Sequence, residues 1–206
     1  MTPILYSFRR CPYAIRARLA IAQAGIRVQL REVVLRDKPD AFLKVSPSAT
    51  VPCLVTDMGA VDESRDIMIW ALEQNDPEGW LNMPKEGWRL IEDCEGPFKH
   101  ALDRTKYHTR YPDEDRDGHR AAALSYLKEL DAQLDDWLFG RQTLADYAIL
   151  PFVRQFAFID KDWFDAQDLP NLAPWLERFL ASDCFAKVMQ KHKQWHPGDE
   201  VVSFPA

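Results

Sequence analysis

The sequence predicts an α/β unit of order βαβ-α-ββα followed by an all-α helical bundle. Three observations in its 206 residues carry this reading. Short apolar runs alternate with helical periodicity up to about residue 76, and beyond that the rhythm is almost wholly helical. Between the two, NDPEGWLNMPKEG (75–87) places two prolines and two glycines in thirteen residues, a composition that interrupts regular structure and suits a linker. The expected divisions are residues 1–76, a linker at 77–87 and an all-helical domain at 88–206.

Each element follows from its local pattern. Ile4 to Phe8 is a short apolar run suited to a buried strand. From about Pro12 to Ala24, Ile15, Leu19 and Ala22 recur at helical spacing, and Gly25 stands where helices commonly end in a left-handed residue. Val28 to Leu35 is rich in valine and leucine and reads as a second strand. Strand, helix, strand is a βαβ unit, which implies a parallel pair with a right-handed crossover. A short helix near Pro39 to Lys44 follows, then two strands in VPCLVTD and MGAVDE around Met58-Gly59. Ser64 to Gln74, with Ile67, Met68, Trp70, Ala71 and Leu72, closes the unit as a helix. In the segment 116–138, Leu124, Leu127, Leu130, Leu134, Trp137 and Leu138 form one stripe flanked by Lys128, Glu129, Asp131 and Asp135, the pattern of a surface helix in a bundle. TLADYAILPFVRQFAFI differs: Thr143 and Asp146 have capping-box spacing, and the rest is apolar on nearly all sides. It reads as a buried central helix bent by Pro151.

A hydrophobic share of 47% is enough to build a sizeable core in a chain of this length. The net charge of -6 opposes a nucleic-acid partner. No stretch approaches 18 uninterrupted apolar residues, and MTPILYSFRR lacks a charged-then-apolar leader pattern, so no membrane association is expected. Cys11, Cys53, Cys94 and Cys184 are scattered, with neither disulfide-framework nor zinc spacing, which points to a reducing cytoplasm. His192 and His196 lie four apart beside Pro197 and Gly198, where a frayed tail is the simpler reading, and no metal is expected. Trp80, Trp88 and Trp195 read as packing residues.

The chemistry concentrates at LYSFRRCPYAIRARLAIAQAG. A thiol reacts as its thiolate, and a helix N-terminus favours that anion through its unpaired N–H groups and dipole. Pro12 behind Cys11 suits the first helical position, where its missing N–H costs nothing. Arg9, Arg10, Arg16 and Arg18 add positive potential, with Arg9 and Arg10 expected nearest the sulfur. A Cys-x-x-Cys redox pair would need a second thiol where Ala14 stands. A mixed disulfide at Cys11 would therefore be resolved by an outside thiol. A small buried core cysteine is the bland alternative.

Nearly the whole chain resembles the cytosolic glutathione transferases, which join a thioredoxin-like N-terminal domain to an all-helical one. Cys11-Pro12-Tyr13-Ala14 resembles the cysteine-type motif of the omega class and related bacterial enzymes. Val51-Pro52 resembles the family's Val-Pro with a cis peptide bond, Asp62-Glu63-Ser64 its acid-Ser element, and TLADYAILPFVRQF its capped core helix. One departure is SATVP, where the small residue often found before Val-Pro is replaced.

The resemblance implies glutathione as co-substrate. The Val51 backbone would pair with its cysteinyl part, as in a one-residue strand addition. Ser64 and first-turn N–H groups would bind the γ-glutamyl carboxylate, and Glu63 the α-amino group. Lys38 would pair the glycyl carboxylate, and Leu35 would also contact the ligand. Simpler readings stand beside these: Pro52 starting a strand, Ser64 as a helix N-cap, and Lys38 as a solvated lysine in RDKPD. Cys53 would point into the core. The second-substrate pocket would draw on Arg10, Tyr13, Arg104, Tyr107, His108 and Arg110.

These residues imply a glutathione-dependent thiol transferase or reductase acting through a mixed disulfide at Cys11, and the family resemblance, not any sequence feature, implies a homodimer. Glutathionylated thiols, dehydroascorbate and electrophilic carbonyls are the substrate class that this chemistry suggests. Conjugation or ether cleavage by bound glutathione itself, or a non-catalytic interaction module on the same fold, are the alternatives.

Overall fold

The computed structural model describes residues 1–205 and groups them into two units, one of residues 1–81 with 181–205 and one of 82–180. In the first unit β1 (Ile4–Ser7) leads to α1 (Pro12–Gln23), β2 (Val28–Glu32), α2 (Asp40–Leu43), β3 (Cys53–Thr56), β4 (Gly59–Val61) and α3 (Ser64–Gln74). β1 and β2 pair in parallel, Leu5 opposite Leu30, as the βαβ reading requires. β3 runs antiparallel to β1, with Leu54 opposite Leu5, and β4 antiparallel to β3. α1 ends at Ala24 and Gly25 takes φ 67°, a left-handed turn that glycine adopts without a Cβ clash.

α1 is buried on almost every side, from Ala14 through Ile21, and α3 packs along it. The opposite face of the sheet carries a second cluster of Tyr6, Val33, Phe42, Val51 and Cys53. Alternation along β1 explains the division: Leu5 and Ser7 point to one face, Tyr6 to the other.

The C-terminal stretch corrects the expectation of an all-helical 88–206. α10 (Asp183–Val188) packs on α1, and β5 (Val202–Phe204) adds antiparallel to β2, giving the order β4-β3-β1-β2-β5. The tail is docked rather than frayed. Trp195 N–H donates to the Glu32 carbonyl at 2.9 Å, and its ring meets Tyr6 edge-on at 6.0 Å. The Arg31 guanidinium lies 4.1 Å from the Trp195 ring centroid.

The second unit comprises α4 (Lys85–Asp93), α5 (Lys99–Lys106), α6 (Arg116–Gln133), α7 (Leu144–Ala157), α8 (Lys161–Asp165) and α9 (Leu172–Leu180). A π-helical turn at Cys94–Phe98 joins α4 to α5 without a break. Pro97 accounts for it, since a proline supplies no N–H to the helical ladder and its ring crowds the carbonyl one turn back. α7 is the central helix, with every residue from Leu144 to Val153 buried. Asp146, fully buried, accepts Thr143 N–H at 2.9 Å, Leu138 N–H at 3.0 Å and Trp175 Nε1–H at 3.2 Å. Asp131 of α6 accepts the N–H groups of Asn171 and Leu172 at 2.8 and 2.7 Å and so caps α9 from a distance. Among the described residues no helix is long and apolar enough to cross a membrane.

Candidate active site

The first unit delivers Cys11 to the start of α1. β1 ends at Ser7, and the chain turns so that Cys11 N–H meets the Phe8 carbonyl at 3.0 Å. Cys11 is the N-cap residue, with extended backbone (φ −73°, ψ 124°), and Pro12 takes the first helical position. Its carbonyl accepts the first intrahelical bond, from Ile15 N–H at 2.9 Å. The sulfur is half-buried and contacts the Val51 carbonyl at 3.7 Å, joining the thiol to the Val51-Pro52 turn. Ala14 is completely buried in the face of α1 that meets the core.

Two of the four arginines, Arg9 and Arg18, join a partly buried network with Glu32, a partner that has no signal in the sequence. Arg18 is 2% exposed, donating to the Arg9 carbonyl at 2.8 Å, to the Val188 carbonyl at 3.0 Å and to the Ser7 hydroxyl. Burial pushes its guanidinium down to about 10, against the upward pull of Glu32 and Cys11. Arg18 is therefore a buried cation coupled to the Cys11 sulfur. Arg10 instead lies over the Phe8 ring, 5.5 Å from its centroid. The Glu32 carboxylate accepts Arg9 N–H at 2.7 Å. Burial raises this carboxyl above its ordinary range despite that bond and the nearby arginines.

The loop before Val51 is clamped from one side by Asp62. Its carboxylate accepts the Ser46 hydroxyl at 2.8 Å and Ser48 N–H at 2.7 Å. Partial burial pushes this carboxyl up, but the Ser48 and Ser46 hydrogen bonds outweigh it and hold the group below its usual value. Lys38 closes the other side, donating from Nζ to the Ala49 carbonyl at 2.9 Å, so it is neither freely solvated nor remote from the site. Ala49 has φ 53°, a left-handed conformation better suited to glycine, which gives the SATVP departure a structural meaning. The Val51-Pro52 bond is cis. Val51, Pro52 and Cys53 are buried, and desolvation pushes the Cys53 thiol up to about 12. Leu35 is 47% exposed on the loop after β2.

Ser64 corrects the N-cap reading. Glu63 is the N-cap of α3, exposed and extended, and Ser64 is the first helical residue. Its hydroxyl oxygen, almost fully buried, accepts Arg16 Nε–H at 3.0 Å and Nη2–H at 2.7 Å. With the oxygen accepting from a guanidinium, the hydroxyl proton is left to donate to another acceptor. Arg16 counts in the sequence as one of four arginines adding positive potential; its burial is visible only once α1 is packed. The Tyr13 ring lies against the Arg16 guanidinium at 5.2 Å.

Arg104, Tyr107 and His108 belong to the helical unit. Arg104 Nε is 3.4 Å from Glu114 Oε2, and its guanidinium lies 4.4 Å from the Tyr111 ring centroid. Tyr107 ends α5 between the cations of Lys106 and Arg110, at 5.2 and 4.7 Å. His108 is exposed in the following 3₁₀ turn. A cavity of about 670 Å³ lies in the first unit between β2 and the C-terminal tail, bounded by Glu32, His192 and Trp195; none of the sequence-predicted site residues lines it.

Known proteins share this fold. Residues 5–80 match the family model described as "Glutathione S-transferase, N-terminal domain" and residues 113–178 the one described as "Glutathione S-transferase, C-terminal domain", together more than half of the chain. A rice (Oryza sativa subsp. japonica) protein named "Probable glutathione S-transferase DHAR2, chloroplastic" is 25% identical over 202 residues, covering 91% of this chain and 70% of the relative. Glutathione S-transferase omega-1 of Sus scrofa is 40% identical over 55 residues, 27% of this chain and 23% of that protein. The crystal structure of a Methylobacterium radiotolerans glutathione S-transferase in complex with glutathione sulfonate superposes with a TM-score of 0.75 at 25% identity, covering 98% of this chain and 100% of the other. With both of its domains matched and its fold shared, the chain belongs to the glutathione S-transferase family of transferase enzymes.

Proposed function

We propose that this transferase is of the cysteine type and acts as a glutathione-dependent thiol transferase or reductase. The observation that carries the reading is Cys11 at the N-cap of α1, its sulfur 3.7 Å from the Val51 carbonyl, with buried Ala14 where a resolving thiol would stand. The Cys11 thiolate attacks the glutathionyl sulfur of a mixed disulfide RS–SG. A Cys11–SG disulfide forms and the RS–SG bond breaks, releasing RS⁻, which takes a proton from solvent. The thiolate of a second glutathione then attacks the glutathionyl sulfur, yielding glutathione disulfide and the Cys11 thiolate. The net reaction is RSSG + GSH → RSH + GSSG. Dehydroascorbate and electrophilic carbonyls fit the same two-electron chemistry, with two glutathiones giving one disulfide.

In this reading glutathione lies along the Cys11 edge of the first unit. Once Cys11 is a thiolate it no longer donates to the Val51 carbonyl, which can then accept an N–H of the glutathione cysteinyl part. The Ser64 hydroxyl, oriented by Arg16, and the first turn of α3 receive the γ-glutamyl carboxylate, with Glu63 against the α-amino group. Lys38 pairs the glycyl carboxylate from the Ala49 loop, and Leu35 covers the ligand. Arg10 and Tyr13, next to Cys11 in the chain of the first unit, are proposed to contact the second substrate. A homodimer in a reducing cytoplasm, with four free thiols, completes the reading.

Assaying wild type and Cys11→Ser side by side with hydroxyethyl disulfide and a chloronitrobenzene tests it. Disulfide reduction should vanish in Cys11→Ser. Retained disulfide reduction overturns the reading, and conjugation that survives or rises assigns the alternative, in which bound glutathione is itself the nucleophile.

A further inference from the structure

Away from the thiol, the helical unit gathers three side chains of metal-binding type. His100 stands in the first turn of α5, Glu114 in the turn before α6, and His119 in the first turn of α6. One donor atom from each lies within 4.8 Å of the other two. His119 Nε2 and Glu114 Oε2 are 2.7 Å apart, and the two imidazole rings are 5.5 Å apart at 56°. The histidines sit on different helices, nineteen positions apart, so no short His-x-His spacing announces them in the sequence.

We propose that His100, Glu114 and His119 form a binding site for a borderline divalent cation, Zn²⁺ foremost, with the fourth position open to water. Two imidazole nitrogens and one carboxylate are a donor set for Zn²⁺ and its transition-metal neighbours, whereas Mg²⁺ and Ca²⁺ take oxygen ligands. Bonds of about 2.0–2.2 Å in a tetrahedron place ligand atoms roughly 3.3–3.5 Å apart. The His119–Glu114 contact must therefore open by about 0.6–0.8 Å, and the widest separation must close by at most about 1.5 Å. Both are side-chain adjustments: His100 and Glu114 are exposed and His119 half-buried, so no backbone need move. Arg104 is the opposing feature, its Nε 3.4 Å from Glu114 Oε2. The carboxylate has a second oxygen for the metal, and Arg104 is held on the Tyr111 ring, so the two cations share the carboxylate. The neighbouring positive charge makes this site weaker than a closed four-ligand one.

The test is titration of the full-length, untagged protein with Co²⁺ as an optical probe and with Zn²⁺ against a chromogenic chelator. Wild type should take up one equivalent with the spectrum of nitrogen and oxygen ligation and no sulfur-to-metal charge-transfer band. Cys11→Ser should bind equally well, and so should His196→Ala. His100→Ala and His119→Ala should each weaken binding by more than about tenfold, with unchanged melting curves in the absence of metal. Zn²⁺ should also shift the imidazole ¹⁵N resonances of His100 and His119 in the unaltered protein, a readout independent of variant folding. No stoichiometric uptake, unmoved imidazole resonances, or binding that survives both histidine substitutions overturns the site. So does a thiolate band that disappears in Cys11→Ser.

Discussion

Replacing Ser64 by alanine removes the oxygen that accepts two hydrogen bonds from buried Arg16 and that belongs to the proposed glutathione carboxylate site. Arg16 reaches that oxygen from Nε at 3.0 Å and from Nη2 at 2.7 Å, and it is 2% exposed, so water cannot supply a substitute acceptor without opening α1 from α3. A hydrogen bond to a charged group contributes about 1.5–3 kcal/mol. The two bonds share one acceptor, so their contributions overlap, and urea unfolding should show a loss of about 2–3 kcal/mol. Ser64→Thr keeps the hydroxyl and should lose less than half of that. The decisive comparison is a double-mutant cycle. In an Arg16→Met background the guanidinium is gone, and Ser64→Ala should then cost under about 1 kcal/mol. Glutathione affinity, measured by calorimetry, should fall about tenfold or more in Ser64→Ala, the equivalent of about 1.4 kcal/mol. A stability loss below about 0.5 kcal/mol, or one unchanged in the Arg16→Met background, would refute the coupling.

Other consequences are as concrete. Asp146→Ala strips the acceptor from Thr143, Leu138 and Trp175 inside the helical unit, and it should cost about 3–5 kcal/mol in urea unfolding. With the thiols of Cys53 and Cys184 pushed up to about 12 and about 11, their thiolate fractions at pH 7.5 are about 3 × 10⁻⁵ and 3 × 10⁻⁴. Brief iodoacetamide treatment followed by peptide mass mapping should therefore modify Cys11 ahead of both; early labelling of Cys53 would contradict its burial. Asp62 is held below its ordinary range, so its contribution is full above about pH 4 and is lost as pH falls through the lower folded-state value. Wild type should be more stable than Asp62→Asn near neutrality, and the gap should close as urea melts are taken from pH 6 toward pH 3.

Much of this was readable before any coordinates, and the reasons differ by element. α1, β3 and α3 declare themselves because their periodicity and their stop signals are local: Gly25 and Pro12 act on the residues beside them. The capping box at Thr143 and the buried α7 are legible for the same reason. β5 was not, because three residues near the end of a polar tail form a strand only by pairing with β2, more than 170 residues earlier. Cys11 stood out by its place between a strand and a helix. Arg16 and Arg18 did not, since burial of a cation depends on which face of α1 is covered, and α1 is covered on all of them. Asp62 was noticed for its neighbours Glu63 and Ser64, whereas its own work is to hold the Ser46–Ser48 loop. His100 and His119 meet only through the packing of α5 on α6, which no spacing rule encodes.

The central claim, that Cys11 carries glutathione as a covalent intermediate, is tested most directly by intact-mass spectrometry of the protein quenched with acid after mixing with a glutathionylated peptide. Wild type should gain the mass of one glutathionyl group, mapped to Cys11, and free glutathione should remove it. Cys11→Ser should gain none. A wild-type protein that turns over the peptide without ever carrying the adduct, or an adduct that maps to Cys53, Cys94 or Cys184, would contradict the account.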